Sequence, residues 1–334
     1  MKQWHITPSD TTLNLIQKDV ALPEPGVGEI RVKVRAVSLN FRDLLVAGGN
    51  YPSVGPDGVV PLSDGAGEIT ALGDGVEGLK IGDRIVNTFW REWMDGPYRA
   101  GFSDMGGGID GMLAEEVVLS AEALVKIPDY MSYSDAATLP VAALTAWNAL
   151  VYRAEIKAGD TVLLLGTGGV SIFALQFAKS LGATIIITSS SNDKLTRAKA
   201  LGADHTVNYK ETPNWSEAVL ELTGGIGVDA VIETGGPGTL QQSLEAVRVG
   251  GHVSLIGVLD SPEATISPIP VLFKYLRLDG LMVGSREMFE SMLTHMDTHR
   301  ITPVIDESFP VEQVEDAFAA LSKGGHMGKI VVTL

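Results

Sequence analysis

The feature that most constrains this chain is a short glycine turn and what flanks it. Thr161–Leu165 is a continuous apolar run, Gly166-Thr167-Gly168-Gly169-Val170-Ser171 follows at once, and from Ile172 to Leu181 apolar residues recur at helical spacing (Phe173, Phe177, Leu181). A short apolar run suits a strand buried on both faces, and the switch to a helical period makes the unit strand, turn, helix. The first glycine permits the tight turn and the second lets the backbone approach a pyrophosphate. Ser171 stands where a small residue lets the helix pack on the sheet. The helix start then offers free N–H groups and a partial positive charge to an anion. In this setting Gly166, Thr167, Gly168, Gly169 and Val170 are expected to seat a dinucleotide; an ordinary glycine loop in an α/β protein is the alternative.

The surroundings fit a doubly wound sheet. Further strands of buried type are expected at Thr184–Thr188, His205–Asn208, Val228–Ile232, His252–Ile256 and Leu278–Val283, with helices such as Lys194–Leu201 and Leu240–Val249 between them. Short apolar strands with helical crossovers predict a parallel sheet covered on both faces. The first third of the chain reads differently. In Glu29–Ala36, Ile30, Val32, Val34 and Ala36 alternate with charged residues, the pattern of a half-buried strand. Gly67–Leu72 and Arg84–Val86 read as strands separated by Gly/Asp turns, which predicts a small rolled sheet. Between Asn87 and Gly111 lie Phe89, Trp90, Trp93, Tyr98 and Phe102, either packed under a long loop or lining a pocket. The tail from Arg286 holds a helix, another near Val314–Leu321, and a last strand, Lys329–Thr333.

The choice of dinucleotide rests on the second strand. Readers of NAD place an acidic residue there to bond the ribose 2′-hydroxyl. Here the strand ends at Thr188 and continues Ser189-Ser190-Ser191-Asn192-Asp193-Lys194. Hydroxyls and a lysine suit a 2′-phosphate, so NADPH is expected over NADH; Asp193 reads as part of a helix start.

Composition removes several classes. A net charge of −16 leaves no basic stripe for nucleic acid and disfavours an anionic membrane surface. With no cysteine there is no disulfide, thiolate zinc site, iron–sulfur cluster or cysteine nucleophile. The polar start and the lack of a long apolar run point to the cytoplasm.

Several segments together resemble the medium-chain dehydrogenase/reductase superfamily, in its zinc-independent branch of quinone oxidoreductase-like and zinc-free alcohol dehydrogenase-like proteins. They are Ser38–Asp43 (SLNFRD), Ser63–Glu68 (SDGAGE), Gly82–Val86 (GDRIV), Leu139–Trp147 (LPVAALTAW), the glycine turn, Ala200–Asp204 (ALGAD) and Gly328-Lys329. The resemblance spans essentially the whole chain. It implies a GroES-like, β-rich catalytic domain from 1–127 and 285–334, with a Rossmann domain from 128–284 set between them. It also implies a homodimer through the edge strand near Leu278–Val283.

The same resemblance proposes further coenzyme contacts. Phe41, Arg42, Asp43 and Thr145 are expected at the domain cleft near the nicotinamide, and Ser189, Ser190, Lys194 and Tyr209 around the 2′-phosphate. Thr234, Ile256, Gly257, Val258, Leu259, Val283, Gly284 and Ser285 are expected on the nicotinamide and ribose side. Lys329 is expected to reach the coenzyme phosphates. For Thr145 and Tyr209, plain packing is the alternative. Where the zinc-dependent branch carries its first cysteine ligand this chain has Asn40, its zinc histidine aligns with Ser63, and its third ligand falls near Pro140–Val141. His295 and His299 share helical spacing without the glutamate of a metalloprotease pattern, so no metal site is expected.

Zinc stabilises a developing alkoxide as a Lewis acid. Hydrogen bonds and fixed dipoles alone suffice more readily for acceptors that already delocalise charge, which points to quinones and α,β-unsaturated carbonyls. Asn40, Arg42, Asp43 and Tyr51 are the candidates for oxyanion or proton support, with water an alternative proton source, and positioning of the nicotinamide ribose or a substrate carbonyl is the alternative role for Asn40. Arg42 and Asp43 could equally form a structural ion pair. An enoyl-thioester reductase, a metal-free alcohol or aldehyde dehydrogenase, and a non-catalytic NADPH-binding sensor or partner protein remain the alternatives.

Overall fold

The computed structural model describes residues 1–7, 9, 13–55, 57–257 and 265–334. The chain forms two compact units, Met1–Leu144 with Val283–Leu334, and Thr145–Met282. Residues 128–144 therefore lie with the first unit.

The first unit is built on the strand Glu29–Leu39. Its alternating half shows buried Ile30, Val32 and Val34, and from Ala36 to Leu39 every residue is buried. One edge pairs antiparallel with Asp64–Leu72, a strand that begins before the expected Gly67. The other edge is shared: Glu116–Ser120 takes residues 29–33 and Lys329–Thr333 takes residues 36–39. A strand that changes partner along one edge rolls the sheet. Two register shifts against Asp64–Leu72 add to the bend. Arg84–Asn87, Leu124–Lys126 and Ile305–Pro310 complete the seven-stranded sheet, and Lys2–Ile6 pairs separately with Leu15–Asp19. In the long loop, Trp93 packs edge-on against Tyr98, and Trp90 and Phe102 also meet Tyr98. Phe89, Trp90 and Trp93 are buried, so the loop carries its own small aromatic core.

The second unit is a six-stranded parallel sheet in the order His205–Asn208, Thr184–Ser189, Thr161–Leu164, Val228–Glu233, Val247–Leu255, Arg277–Gly280. The order reverses between Thr161–Leu164 and Val228–Glu233, where doubly wound sheets open a crevice at their carboxyl ends. Two expected elements shift. The helix before the fifth strand is Pro237–Ala246, and Val247, expected as its continuation, instead starts the strand by pairing with Val228. The edge strand ends at Gly280 rather than Val283, because the chain turns away and Val283 adopts φ 58°. Among the described residues, no helix is long and apolar enough to cross a membrane.

Gly67 lies where the strand pair is tightest: a Cβ there would stand 2.2 Å from the Lys33 carbonyl oxygen. Gly67→Ala should therefore destabilise the chain by about 1–3 kcal/mol or more, since the obstacle is backbone. A fall of several degrees in the thermal midpoint is expected, and an unchanged midpoint would contradict this packing.

Candidate active site

In the first unit, the fully buried end of Glu29–Leu39 delivers Asn40 to the start of the helix Phe41–Ala47. Asp43 reaches back, its Oδ2 accepting the Asn40 backbone N–H at 2.7 Å, as in one half of a capping box. Strand pairing sets Ile330 opposite Leu39, which puts Lys329 beside Asn40. The Lys329 ammonium is 2% exposed and donates to the Leu39 carbonyl at 2.8 Å and to Asn40 Oδ1 at 2.5 Å. Asp64 Oδ2 lies 3.6 Å from it. That carboxylate is itself held by the hydroxyls of Ser38 and Ser63, which donate at 3.3 and 3.1 Å. The Lys329 ammonium is thus enclosed and engaged within its own unit.

Arg42 is also engaged. It donates to Asp104 at 2.7 Å and to the Met105 carbonyl at 3.0 Å, and lies 3.6 Å from Asp43. Its guanidinium stacks 4.4 Å from the centroid of Tyr51, and Ser53 donates to the same Asp104. Of the two roles open to Arg42, this geometry favours the structural one, with Asp104 the nearer partner. Among the described residues, three buried atoms in the cluster have no hydrogen-bond partner: Asn40 Nδ2, Arg42 Nε and Asp43 Oδ1. Leaving a buried donor unmet costs about 1–3 kcal/mol, so such atoms call for a ligand, water or function. Burial pushes the Asp43 carboxyl up from its ordinary 3.8 to about 6, against the pull of Arg42 and the Asn40 N–H. Burial likewise lowers Lys329, opposed by Asp64 and Asp43. Phe41 is partly exposed on the same helix. Val283 and Gly284 are buried, and Ser285 caps the helix Arg286–His299 by accepting the Met288 N–H.

Asp64 and Asp104 were not anticipated. Asp64 stands next to Ser63 in a quoted motif, but its role appears only when strand pairing sets it opposite Ser38. Asp104 sits in the loop 62 positions from Arg42, and nothing in the local sequence announces the pair.

In the second unit, the glycine turn follows Thr161–Leu164 and Gly168 is the N-cap of the helix Gly169–Ser180. Gly166 takes φ 71°, and Gly168 has no side chain to cap the helix and open space where a Cβ would stand. The turn is braced from two sides, because Ser171 and Thr234 both donate to the Leu165 carbonyl, at 2.6 and 2.8 Å. Thr167 is buried, and Val170 is half-buried on the first helical turn. Gly166 N–H donates to Thr188 Oγ1 at 3.2 Å, tying the turn to the second strand. That strand ends at Ser189, whose carbonyl accepts the Tyr209 N–H at 3.1 Å. Ser191 caps the next helix through the Lys194 N–H, and Asp193 lies in its first turn. Ser189, Ser190, Lys194 and Tyr209 thus gather at one strand end. Ile256 and Gly257 donate to the Glu233 carbonyl, and a Cβ on Gly257 would fall 1.6 Å from Thr234 O. Thr145 is buried in the helical segment Leu144–Trp147; Val258 and Leu259 lie outside the described residues. An uncapped helix start behind a braced glycine turn fits a dinucleotide diphosphate.

Residues 26–129 match the alcohol dehydrogenase GroES-like domain and residues 169–298 the zinc-binding dehydrogenase domain. A zinc-type alcohol dehydrogenase-like protein of Schizosaccharomyces pombe is 44% identical, over 92% of this chain and 91% of its own. This chain belongs to the medium-chain dehydrogenase/reductase superfamily. A quinone oxidoreductase of Pseudomonas aeruginosa is 35% identical over 73% of the chain and 70% of its own. A crystal structure of a putative alcohol dehydrogenase from Sinorhizobium meliloti shares 40% identity at TM-score 0.91, with both chains covered in full. An NAD-dependent alcohol dehydrogenase shares 32% identity at TM-score 0.91, again over both whole chains. The superfamily's GroES-like and Rossmann folds and its oxidoreductase class therefore hold for this chain. Among the described residues no three His, Cys, Asp or Glu side chains group to hold a metal, and Asn40 and Ser63 stand at the positions that the resemblance aligns with ligands of the zinc-dependent branch.

Asp43 gives this cluster a measurable signature. Its folded pKa is raised, so the folded chain holds the proton more tightly than the unfolded chain does. The stability this confers is full below about pH 4 and is lost as pH rises to about 6. The unfolding free energy of wild type minus that of Asp43→Asn should fall across this window and level off above it. A flat or rising difference would show that Asp43 is not buried as described.

Proposed function

We propose that this chain is an NADPH-dependent, zinc-independent oxidoreductase that passes hydride to a quinone or an α,β-unsaturated carbonyl. The observation that carries the reading is the enclosed Lys329 ammonium on Asn40 Oδ1, a fixed cation where zinc-dependent relatives were expected to hold metal. When bound, the reduced coenzyme supplies a hydride to the acceptor's β-carbon or ring, leaving itself oxidised while the resulting enolate or quinol oxygen or its carbon takes up a proton. Asn40 offers an unmet N–H donor to the oxygen on which charge develops. Arg42 and Tyr51 hold the loop at Asp104, and Asp43 fixes the Asn40 backbone. Water supplies the proton.

NADPH is favoured by the second strand's end, where Ser190, Lys194 and Tyr209 gather and the last strand residues, Thr188 and Ser189, carry hydroxyls in place of a carboxylate. The quinone oxidoreductase relative supports the acceptor class. The alcohol dehydrogenase names of the other relatives favour a second reading, a metal-free alcohol or aldehyde dehydrogenase. A homodimer is supported by the open edge of Arg277–Gly280, flanked by exposed Leu272, Phe273, Tyr275 and Met282. The cytoplasm is the compartment this reading assumes.

Two measurements test it. NADPH oxidation is followed with 1,4-benzoquinone, cyclohex-2-enone, an enoyl thioester and an aldehyde. Turnover of the quinone or enone is expected, turnover of the aldehyde alone would establish the second reading, and coenzyme binding without any turnover would indicate a sensor or partner protein. Lys194→Ala should weaken NADPH at least tenfold and NADH little; equal losses would refute the phosphate contact.

A further inference from the structure

Asn40 is constrained at every polar atom but one. Its backbone N–H is taken by Asp43 Oδ2 at 2.7 Å. Its amide oxygen faces Lys329 Nζ at 2.5 Å, and this orientation follows from chemistry, because an ammonium can only donate and so selects the oxygen over the NH2 group. The ammonium cannot drift to another partner. It is enclosed, it also donates to the Leu39 carbonyl, and it lies 3.6 Å from Asp64, whose two oxygens are pinned by Ser38 and Ser63. What remains is Asn40 Nδ2, buried and with no acceptor among the described residues.

We infer that Lys329 is a positioning residue, whose ammonium locks the Asn40 amide so that its NH2 group is held for the carbonyl oxygen of the substrate. The inference rests on the carbonyl-reduction reading above and adds what makes Asn40 competent. A charged donor on Oδ1 draws electron density through the amide and strengthens the opposite N–H bonds as donors. It also removes the flipped orientation, in which an amide oxygen would meet the developing negative charge. Asp64 acts one step further out, by holding the ammonium.

The test is a double-mutant cycle on the full chain with NADPH, using whichever carbonyl acceptor is turned over fastest. Asn40→Ala and Lys329→Met should each lower kcat by roughly ten- to a hundredfold, somewhat less than loss of a strong oxyanion donor elsewhere. NADPH affinity, read by fluorescence titration, should stay within about twofold, because this reading takes Lys329 off the coenzyme phosphates and sets Asn40 against the substrate. The double variant should be no slower than Asn40→Ala alone, since both remove one interaction. Lys329→Gln, which keeps an N–H donor without the charge, should fall between wild type and Lys329→Met.

Multiplying losses would overturn the inference. So would a Lys329→Met enzyme with normal kcat and tenfold weaker NADPH, which would return Lys329 to a phosphate. The acceptor class that is turned over tests the functional reading separately, because the cycle runs equally on an aldehyde. If Lys329→Met does not fold, or no acceptor turns over, the Asn40 side-chain amide signal in an ¹⁵N–¹H spectrum decides. Assigned by its loss in Asn40→Ala, it should shift when cyclohex-2-enone is added with oxidised coenzyme, and an unmoved signal refutes the assignment.

Discussion

A positive charge sealed inside the first unit organises much of what surrounds it. An ammonium without water is expensive, and it is tolerated only where partners meet its donors and a counter-charge lies near. Lys329 finds two oxygens at the end of Glu29–Leu39 and a carboxylate on the neighbouring strand. One side chain therefore ties together the last strand, the long central strand and Asp64–Leu72 at the point where Asn40 enters its helix. The buried run Ala36–Leu39 follows from this, since the strand is covered on both faces as it nears the cluster.

The second unit solves a different problem, that of leaving a helix start open without losing the turn before it. Gly168 cannot cap the helix with a side chain, so the turn is held from behind by two hydroxyls on one carbonyl oxygen. Its place at the reversal of strand order is where a parallel sheet has no helix covering the crevice. The chemistry offered to a ligand there is an array of backbone N–H groups, which in the proposed function meets the coenzyme diphosphate and is indifferent to the rest of the molecule. Under the same proposal, selection between coenzymes falls to the end of the next strand.

Much of this could be read from residues alone, for physical reasons. The glycine turn and the parallel strands carry strong local signals, and the strands His205–Asn208 and Lys329–Thr333 have the bounds expected of them. Local pattern failed where tertiary pairing decides. Val247 looked helical because the apolar spacing of the preceding helix runs on into it, yet pairing with Val228 made it a strand. The oxygens that hold the Lys329 ammonium, the Leu39 carbonyl and the Asn40 amide, lie 290 and 289 positions away, beyond the reach of any local pattern. Arg42 and Asp43 were recognised as candidates, but the partner that occupies Arg42 comes from the aromatic loop.

In the proposed reaction a carbonyl group is activated by an amide and a buried ammonium, with no metal ion taking part. The most direct measurement is the metal content of the chain purified from zinc-supplemented growth, together with its carbonyl-reducing rate before and after a strong chelator. Zinc well below one ion per chain and an unchanged rate are expected. About one zinc per chain, with activity lost on chelation and restored by added zinc, would contradict the account.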